Sequence, residues 1–420
     1  MRRMIALSAL ALAMLAVSAS PADSQSKPKP KPKETKPEEK LYSADDINRR
    51  IVASLEWFCD HQGPEGQWSA KDYDSHTLRL RAAHTHNLEW VKPGQEGGDT
   101  CDDGMDNDAD VPWTALTLLC FLGSGHVHTD GQYKSYVAKG LNYLRSKQGS
   151  SGLIGGGHSS YAHNHAVATM ALCEAFALSG DADLKPAAQK ATEYLLAAQS
   201  KESGWRYGFD DGQADTQMTS WCVMAVKSAQ VAGLEGDFAK FWAGIHKYLD
   251  SASADIQGNY RTGYMPGNAG GSSPRLRSAA DWVSHPDSDA VNIAVRLLSG
   301  DKKWTPKSKE LKSQAALILK DLPEWQDKKV DMAYLYFGTL GLHQIGDKKD
   351  FEAWKAPLLK ALLENQRGWH EKDKDTFEAV LDEFGSWDAI DAWHAWGGRV
   401  GTTAMATLCL QVVARYERLK

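Results

Sequence analysis

The chain has 420 residues, of which 42% are hydrophobic, so it is long enough to bury a large core. Its formal net charge is −6, and residues 1–40 contribute +4, which leaves −10 on residues 41–420. Such an acidic body lacks the basic face that nucleic acid requires, so the composition argues against a nucleic-acid partner.

The N-terminus predicts export. Arg2 and Arg3 precede an apolar stretch from Ile5 to Val17, and small residues follow through Ala22. This order is typical of a secretory signal peptide, and the apolar stretch is too short to span a bilayer comfortably. We therefore expect a signal peptide over 1–22, a periplasmic or extracellular protein, and no integral membrane span in the mature form. An uncleaved membrane anchor is the alternative.

A Lys/Pro-rich segment follows the signal peptide. Residues 23–40 contain repeated Lys-Pro pairs and almost no apolar side chains, so they cannot form a core. We expect a disordered linker there that acts as an extended tether. The remaining residues, 41–420, are expected to form one domain.

That domain has a repeated pattern. Apolar runs with helical spacing end in Gly-Asp, and loops that join glycine to an aromatic residue precede most of these runs. The Gly-Asp pairs lie at 180–181, 236–237, 300–301 and 346–347; the loops contain Gly66, Gly204, Gly258 and Gly368. The pattern predicts an all-α fold of about six helical hairpins. Periodicity does not distinguish a closed ring from an open superhelix.

The six cysteines divide into two groups. Four of them lie in apolar helical runs, where cysteine usually behaves as a small hydrophobe: Cys120, Cys173, Cys222 and Cys409. Cys59 and Cys101 lie nearer to loops, and an exported protein could oxidise that pair to a disulfide. Two separate thiols are the alternative.

The connecting loops of stacked hairpins should emerge on one face, together with the N-termini of the second helices. We expect a central ligand pocket on this face, with these candidate residues: Trp68, His165, Trp205, Asp215, Trp221, Tyr264, Asp331 and Tyr334. The alternatives are structural. Aspartates at helix starts are commonly caps, and aromatic stripes commonly pack in a core.

Two clusters suggest metal sites. Asp106, Asp108 and Asp110 alternate in an acidic loop, a spacing that lets oxygens converge on a hard cation such as calcium. A solvated acidic loop explains the same residues. His158, His163 and His165 could supply two ligands of a zinc site if another loop supplied a third, and an ordinary glycine-rich loop is the alternative.

Several segments resemble the repeat of squalene cyclases and protein prenyltransferases, and more narrowly an exported bacterial group that carries it. They are Asn164 to Thr169, Gly204 to Tyr207, Asp215 to Trp221, Tyr334 to Thr339 and Gly397 to Ala404. The resemblance extends from about Asp45 to the C-terminus. It implies an α/α toroid, with six hairpins closed in a ring, the second helices inside and the first helices outside.

The catalytic motifs of that family are missing. The segment from Asp106 to Val111 lacks the adjacent aspartates and the threonine of the cyclase acid motif. Asp215-Thr216-Gln217 lacks the zinc-binding cysteine of prenyltransferases. We therefore expect a binding or interaction module of the cell envelope, with an apolar or carbohydrate ligand. The alternative is a glycan- or lipid-acting enzyme of toroid type; a terpenoid cyclase or prenyltransferase is least favoured.

Overall fold

The computed structural model describes residues 42–71, 110–157, 160–209, 212–273, 284–326, 329–369, 383–392 and 394–415. The predicted signal peptide and linker, Cys101, Asp106, Asp108 and His158 lie outside these residues. The described part contains twelve helices, in chain order: α1 (Ala44–Asp60), α2 (Asp110–Gly123), α3 (Lys134–Ser146), α4 (Tyr161–Ser179), α5 (Lys185–Ala197), α6 (Thr216–Val231), α7 (Phe238–Ala252), α8 (Asp287–Ser299), α9 (Lys309–Ile318), α10 (Met332–Ile345), α11 (Lys348–Leu363) and α12 (His394–Arg415).

A short hairpin of two antiparallel strands follows α7. Strand β1 (Ser253–Ile256) pairs with strand β2 (Asn259–Thr262), and Ser253 lies opposite Thr262. Strand β2 packs against α8 and α9, so the hairpin covers the outside of that pair of helices. It is the one sheet within the described residues.

Six helices form an inner ring. Helices α2, α4, α6, α8, α10 and α12 each pack against the next, and α12 packs against α2, so the ring is closed. The outer helices pack against this ring: α1 on α12 and α2, α3 on α2 and α4, α5 on α4 and α6, α7 on α6 and α8, α9 on α8, and α11 on α10 and α12. The fold is therefore the α/α toroid of six hairpins that the sequence resemblance implies, and the closed ring settles what periodicity left open.

Burial separates the two rings. Nearly every residue of the inner helix α2 is buried, because its neighbours cover it on all sides. The outer helix α3 buries only one stripe, which includes Val137, Leu141 and Leu144. A helix that is apolar all round belongs inside a large core, and an amphipathic helix belongs at the surface of that core.

Glutamine side chains join neighbouring outer helices. Gln62 donates to the carbonyl oxygens of Gly66 and of Tyr136 on α3, at 3.0 and 2.9 Å. Gln148 repeats the arrangement with Gly152 and with Ala187 on α5, at 3.1 and 3.0 Å. Each glutamine fixes the loop of its own hairpin and ties that loop to the following outer helix.

Three of the four Gly-Asp pairs mark the ends of inner helices, whereas Gly236-Asp237 lies beyond Ala232, the C-cap of α6. Gly180, Gly300 and Gly346 are left-handed C-cap residues of α4, α8 and α10, with φ of 67, 72 and 74°. Glycine adopts this conformation without the steric penalty that other residues meet. Asp347 then caps α11, since its carboxylate accepts from the backbone amides of Lys349 and Asp350.

The cysteines predicted to be buried are buried. Cys120, Cys173, Cys222 and Cys409 are each 0% exposed. Cys59 is also buried, and burial together with nearby acidic residues raises the pKa of its thiol. Because Cys101 lies outside the described residues, the disulfide stays a prediction. None of the described helices is long and apolar enough to cross a bilayer.

Candidate functional site

A central cavity lies where the N-terminal ends of inner helices meet. It contains about 1020 Å³ of empty space, including solvent at its mouth. Residues from α2, α4, α6, α10 and α12 and from the loops before α4, α6 and α12 form its walls: Pro112, Trp113, Leu116, Ser160, His163, Asn164, Tyr207, Gln217, Met218, Trp221, Met332, Ala333, Asp391, Trp396, Gly397, Gly401, Thr402 and Met405. The convergence of second-helix N-termini follows from the toroid topology.

Aromatic rings form much of the wall. The ring of His163 lies between two indoles, with centroids 6.3 Å from Trp113 and 5.7 Å from Trp221. Trp221 stacks on Tyr336 with centroids 5.9 Å apart and an interplanar angle of 3°. Tyr336 is 1% exposed, so the core holds Trp221 from behind and presents a fixed aromatic surface to the cavity.

Glycines of α12 allow close packing against Trp113. A Cβ atom at Gly397 or Gly401 would meet the Trp113 ring at 2.8 or 2.9 Å, closer than carbon atoms normally approach. Between them, Gly398 has φ of 52° and ψ of −153°, so the helix is kinked there. The glycine-rich segment that begins α12 therefore packs its backbone against the indole at the cavity wall.

Gln217 carries a polar contact from the wall to a buried carboxyl. Its Nε2 donates to Oδ2 of Asp287 at 3.0 Å. Asp287 is 1% exposed, and its Oδ1 has no hydrogen-bond partner of full geometry among the described residues. Burial raises the pKa of Asp287 to about 7, although the charge of His285 opposes that shift. This carboxyl therefore changes between its protonated and ionised forms near neutral pH.

His285 is a buried cation beside that carboxyl. Its Nδ1 lies 2.8 Å from Oδ2 of Asp321, and its Nε2 lies 3.5 Å from Oδ2 of Asp331. Burial alone would lower the pKa of His285, but hydrogen bonds to both aspartates and the charges of Asp331 and Asp287 raise it to about 10. The protonated His285 therefore lies among aspartates at the N-termini of α8 and α10.

Asp391 supplies a carboxylate to the wall itself. It is 3% exposed, and the hydroxyl of Thr402 donates to its Oδ2. The backbone amide of Ala392 donates to the carbonyl oxygen of Val330 at 2.7 Å, which holds Asp391 beside the start of α10. Asp391 is the one carboxylate among the described residues of the lining.

The eight predicted pocket residues occupy three kinds of position, and Trp221 alone lines the cavity. Trp68 and Trp205 are buried in the core at 0 and 1% exposure, where Trp68 donates to the carbonyl oxygen of Phe58. His165 is fully buried; its Nδ1 accepts from the amide of Ile154 and its Nε2 lies 3.0 Å from the carbonyl oxygen of Ala191. Burial lowers the pKa of His165 to about 4, so a neutral imidazole joins a loop to α5.

The remaining four predicted residues lie behind the wall. Asp215 and Asp331 cap α6 and α10, and their Oδ1 atoms accept from backbone amides of those helices. Tyr334 donates to the carbonyl oxygen of Asp321 at 2.8 Å. The hydroxyl of Tyr264 contacts that of the lining residue Tyr207 at 2.8 Å. These side chains support the cavity without forming its surface.

The predicted metal ligands are placed only in part. Asp110 is the first residue of α2, and its predicted partners Asp106 and Asp108 lie outside the described residues. The described residues contain no group of three or more histidine, cysteine and acidic side chains able to hold a metal. His163 lines the cavity, whereas His165 contacts backbone, so these two imidazoles do not converge on a zinc ion.

Sequence reasoning missed most of the wall. Gln217 lies inside the segment from Asp215 to Trp221, where its offset of four from Trp221 places both on one helical face. Asp391 and Trp396 both precede the glycines at the start of α12. These spacings are local signals, but they do not indicate that five separate hairpins meet at one cavity.

No family profile matches the chain, and no curated protein matches it. Several solved structures do. An inactive variant of the α-1,6-mannanase of Salegentibacter sp. HEL1_6, bound to α-1,6-mannotriose, is 11% identical with a TM-score of 0.53, over 89% of this chain and 99% of that one. An unsaturated glucuronyl hydrolase from Streptcoccus agalactiae is 13% identical, with a TM-score of 0.54 over 90 and 94%.

An α-amylase from Clostridium perfringens is also similar, at 13% identity with a TM-score of 0.52 over 87% of this chain and 97% of that one. At such low identity the likeness concerns the fold alone. The chain is therefore an α/α toroid of the architecture found in these carbohydrate-acting enzymes.

Proposed function

We propose that this protein is an exported enzyme that binds a glycan in the central cavity and cleaves it. The observation that carries the proposal is the make-up of the wall, where Trp113, Trp221 and Trp396 accompany Gln217 and Asp391. Indole faces suit the C–H faces of sugar rings, while amides and carboxylates pair with hydroxyl groups.

The similar structures support a glycan over other ligands. One of them holds α-1,6-mannotriose, and the other two are named as a glucuronyl hydrolase and an α-amylase. Export is supported by the basic, apolar and small-residue order of residues 1–22. A secreted toroid would meet polysaccharides of the cell envelope or its surroundings.

Asp391 is the proposed catalytic carboxyl because it lies in the wall. Cleavage of a glycosidic bond requires a group that protonates the leaving oxygen and a second group that assists water or the sugar. His163 also lies in the wall and could act as the second proton-transfer group. Gln217, held by Asp287, would orient the sugar through a hydrogen bond.

Glycan binding without cleavage is the second candidate. Asp391 is the one carboxylate among the described lining residues, whereas glycoside hydrolysis commonly uses two. Both candidates use the same ligand and the same wall. They differ in what replacing Asp391 does.

The test uses the secreted chain and three probes: α-1,6-mannotriose, maltotriose and an unsaturated glucuronyl disaccharide. Binding is followed by tryptophan fluorescence, and cleavage by new reducing ends. We expect Asp391→Asn to lower turnover by about 10²-fold or more while affinity changes little. Gln217→Ala should weaken binding, and Asp301→Asn, in an exposed loop beyond α8, is the control. Binding without turnover in the wild type would support the second candidate; no binding to any probe contradicts both.

A further inference from the structure

A second polar path reaches the cavity from α6. The hydroxyl oxygens of Tyr207 and Tyr264 are 2.8 Å apart, which is hydrogen-bond distance. Tyr207 lines the cavity, and Tyr264 lies behind it at 3% exposure. We propose that Tyr207, Tyr264 and Asp215 form a hydrogen-bonded chain, which sets whether the Tyr207 hydroxyl donates to the ligand or accepts from it. The proposal rests on the proposed function for the nature of that ligand.

Asp215 is placed to end this chain. It is 0% exposed, and its Oδ1 accepts from the amide of Met218 at 2.8 Å as the cap of α6. Its Oδ2 is buried, and no described group meets both the distance and the angle of a hydrogen bond to it. The amide of Thr216 donates to the carbonyl oxygen of Tyr264 at 2.8 Å, so the Tyr264 segment is fixed beside this cap. One carboxyl oxygen therefore serves the helix, and the other is left for Tyr264.

Among the ionisable groups around Asp215, Asp215 itself is the one that changes its protonation state near pH 7. Burial raises its pKa to about 7, against the opposing effects of the Met218 amide, the Tyr264 hydroxyl and the charge of Arg206. Burial also raises the pKa of Tyr264, of Tyr248 and of the Cys222 thiol. These three therefore stay neutral near pH 7, while Asp215 changes charge.

A tyrosine hydroxyl has one proton, so it donates one hydrogen bond at a time. When Asp215 is protonated it donates to Tyr264, Tyr264 donates to Tyr207, and Tyr207 donates into the cavity. When Asp215 is ionised, Tyr264 donates to the carboxylate and Tyr207 donates to Tyr264. The Tyr207 oxygen then presents only lone pairs to the cavity. The change releases one proton to solvent, and no bond between heavier atoms forms or breaks.

A glycan would respond to this reversal. Ring and glycosidic oxygens only accept hydrogen bonds, whereas sugar hydroxyl groups donate or accept. Loss of the Tyr207 donor is therefore compensated only where a hydroxyl group faces it. We expect affinity for α-1,6-mannotriose to fall about threefold to tenfold between pH 6 and pH 8, which is the weight of one hydrogen bond.

The test follows the Tyr207–Tyr264–Asp215 hydrogen bonds in the protein without a ligand. Tyrosine labelled with ¹³C at Cζ reports the hydroxyl environment by NMR, and Tyr207→Phe assigns the signal. In the wild type the Tyr207 signal should move with a midpoint near pH 7. Asp215→Asn and Tyr264→Phe should each abolish that movement, while Tyr334→Phe, a buried tyrosine outside the chain, should preserve it.

A Tyr207 signal that stays fixed from pH 5 to pH 9, or that still moves in Tyr264→Phe, overturns the proposal. If Asp215→Asn does not fold, the Tyr207 signal in Tyr264→Phe is sufficient to test the proposal. Binding of α-1,6-mannotriose is measured in parallel. A moving signal without mannotriose binding preserves the chain and counts against the proposed glycan. If mannotriose binds with an affinity that does not change with pH, and the Tyr207 signal also stays fixed, the proposed hydrogen-bonded chain is wrong. The proposed function is then unaffected.

Discussion

The hydroxyl of Thr407 on α12 donates a hydrogen bond to the hydroxyl of Ser54 on α1 at 2.9 Å, across 353 positions of sequence. Both side chains are fully buried. Gln366 adds a second link, since it donates to the carbonyl oxygen of Arg50 at 2.9 Å. The last hairpin therefore seals the first, and the ring has no open end.

The seal predicts a cost for losing one residue of the terminal helix. Gln411 is fully buried and donates to the carbonyl oxygen of Cys120 at 2.6 Å and to the hydroxyl of Ser124 at 2.9 Å. Gln411→Ala leaves that carbonyl without its donor, so we expect a loss of about 1–3 kcal/mol in the free energy of unfolding. Urea denaturation measures it, with the exposed Lys312→Gln as control; equal midpoints for the two variants would contradict the closed ring.

Gly152 predicts how tightly neighbouring hairpins approach. Its φ is 98°, and a Cβ atom there would meet the carbonyl oxygen of Lys190 at 2.4 Å. Gly131 has a similar φ of 90° with open space around it. Gly131→Ala should therefore cost only backbone strain, about 1–2 kcal/mol, while Gly152→Ala should cost clearly more. Equal losses in urea denaturation would show that the close contact relaxes freely.

Asp215 predicts a pH dependence of stability. Its folded pKa of about 7 lies above the ordinary aspartate value of 3.8, so the folded state holds a proton that the unfolded state loses. Its contribution to stability is full below pH 4 and is lost as pH rises towards 7, by up to about 4 kcal/mol. Asp215→Asn should retain the cap and remove this loss, since Asn caps about as well as Asp.

The measurement for Asp215→Asn is the free energy of unfolding at pH 4, 5.5, 7 and 8. Only the difference between variant and wild type is interpreted, because burial also raises the pKa of Asp287 and of Glu174. The variant should gain on the wild type as pH rises. A difference that stays constant from pH 4 to pH 8 would contradict a buried, proton-holding Asp215.

Calcium binding by the acidic loop is a prediction from the sequence. Asp106, Asp108 and Asp110 alternate as oxygen ligands of calcium do. If they bind the ion, calcium should raise the melting temperature and EDTA should lower it. Asp108→Asn should reduce the response, and Asp130→Asn, an exposed aspartate in another loop, should not. An unchanged melting temperature with calcium would assign the loop to solvent.

The sequence by itself determined the repeating unit. Helical spacing and Gly-Asp pairs identify hairpins because helices commonly end at a residue such as Gly180 or Gly346 that tolerates left-handed backbone. Asp215 and Asp331 were recognisable as caps because capping involves only the next two or three residues. These interactions are local, so a single segment contains all the information.

Only the tertiary structure decided which side chains share the cavity. Gln217, Asp391 and His163 come from different hairpins, and they lie together because the inner ring closes. His165 and Trp205 look like pocket residues in sequence, yet they pack inward at 0 and 1% exposure. Helix spacing gives the face that a residue occupies relative to its neighbours, whereas the rotation of each helix in the ring depends on how all six inner helices pack together.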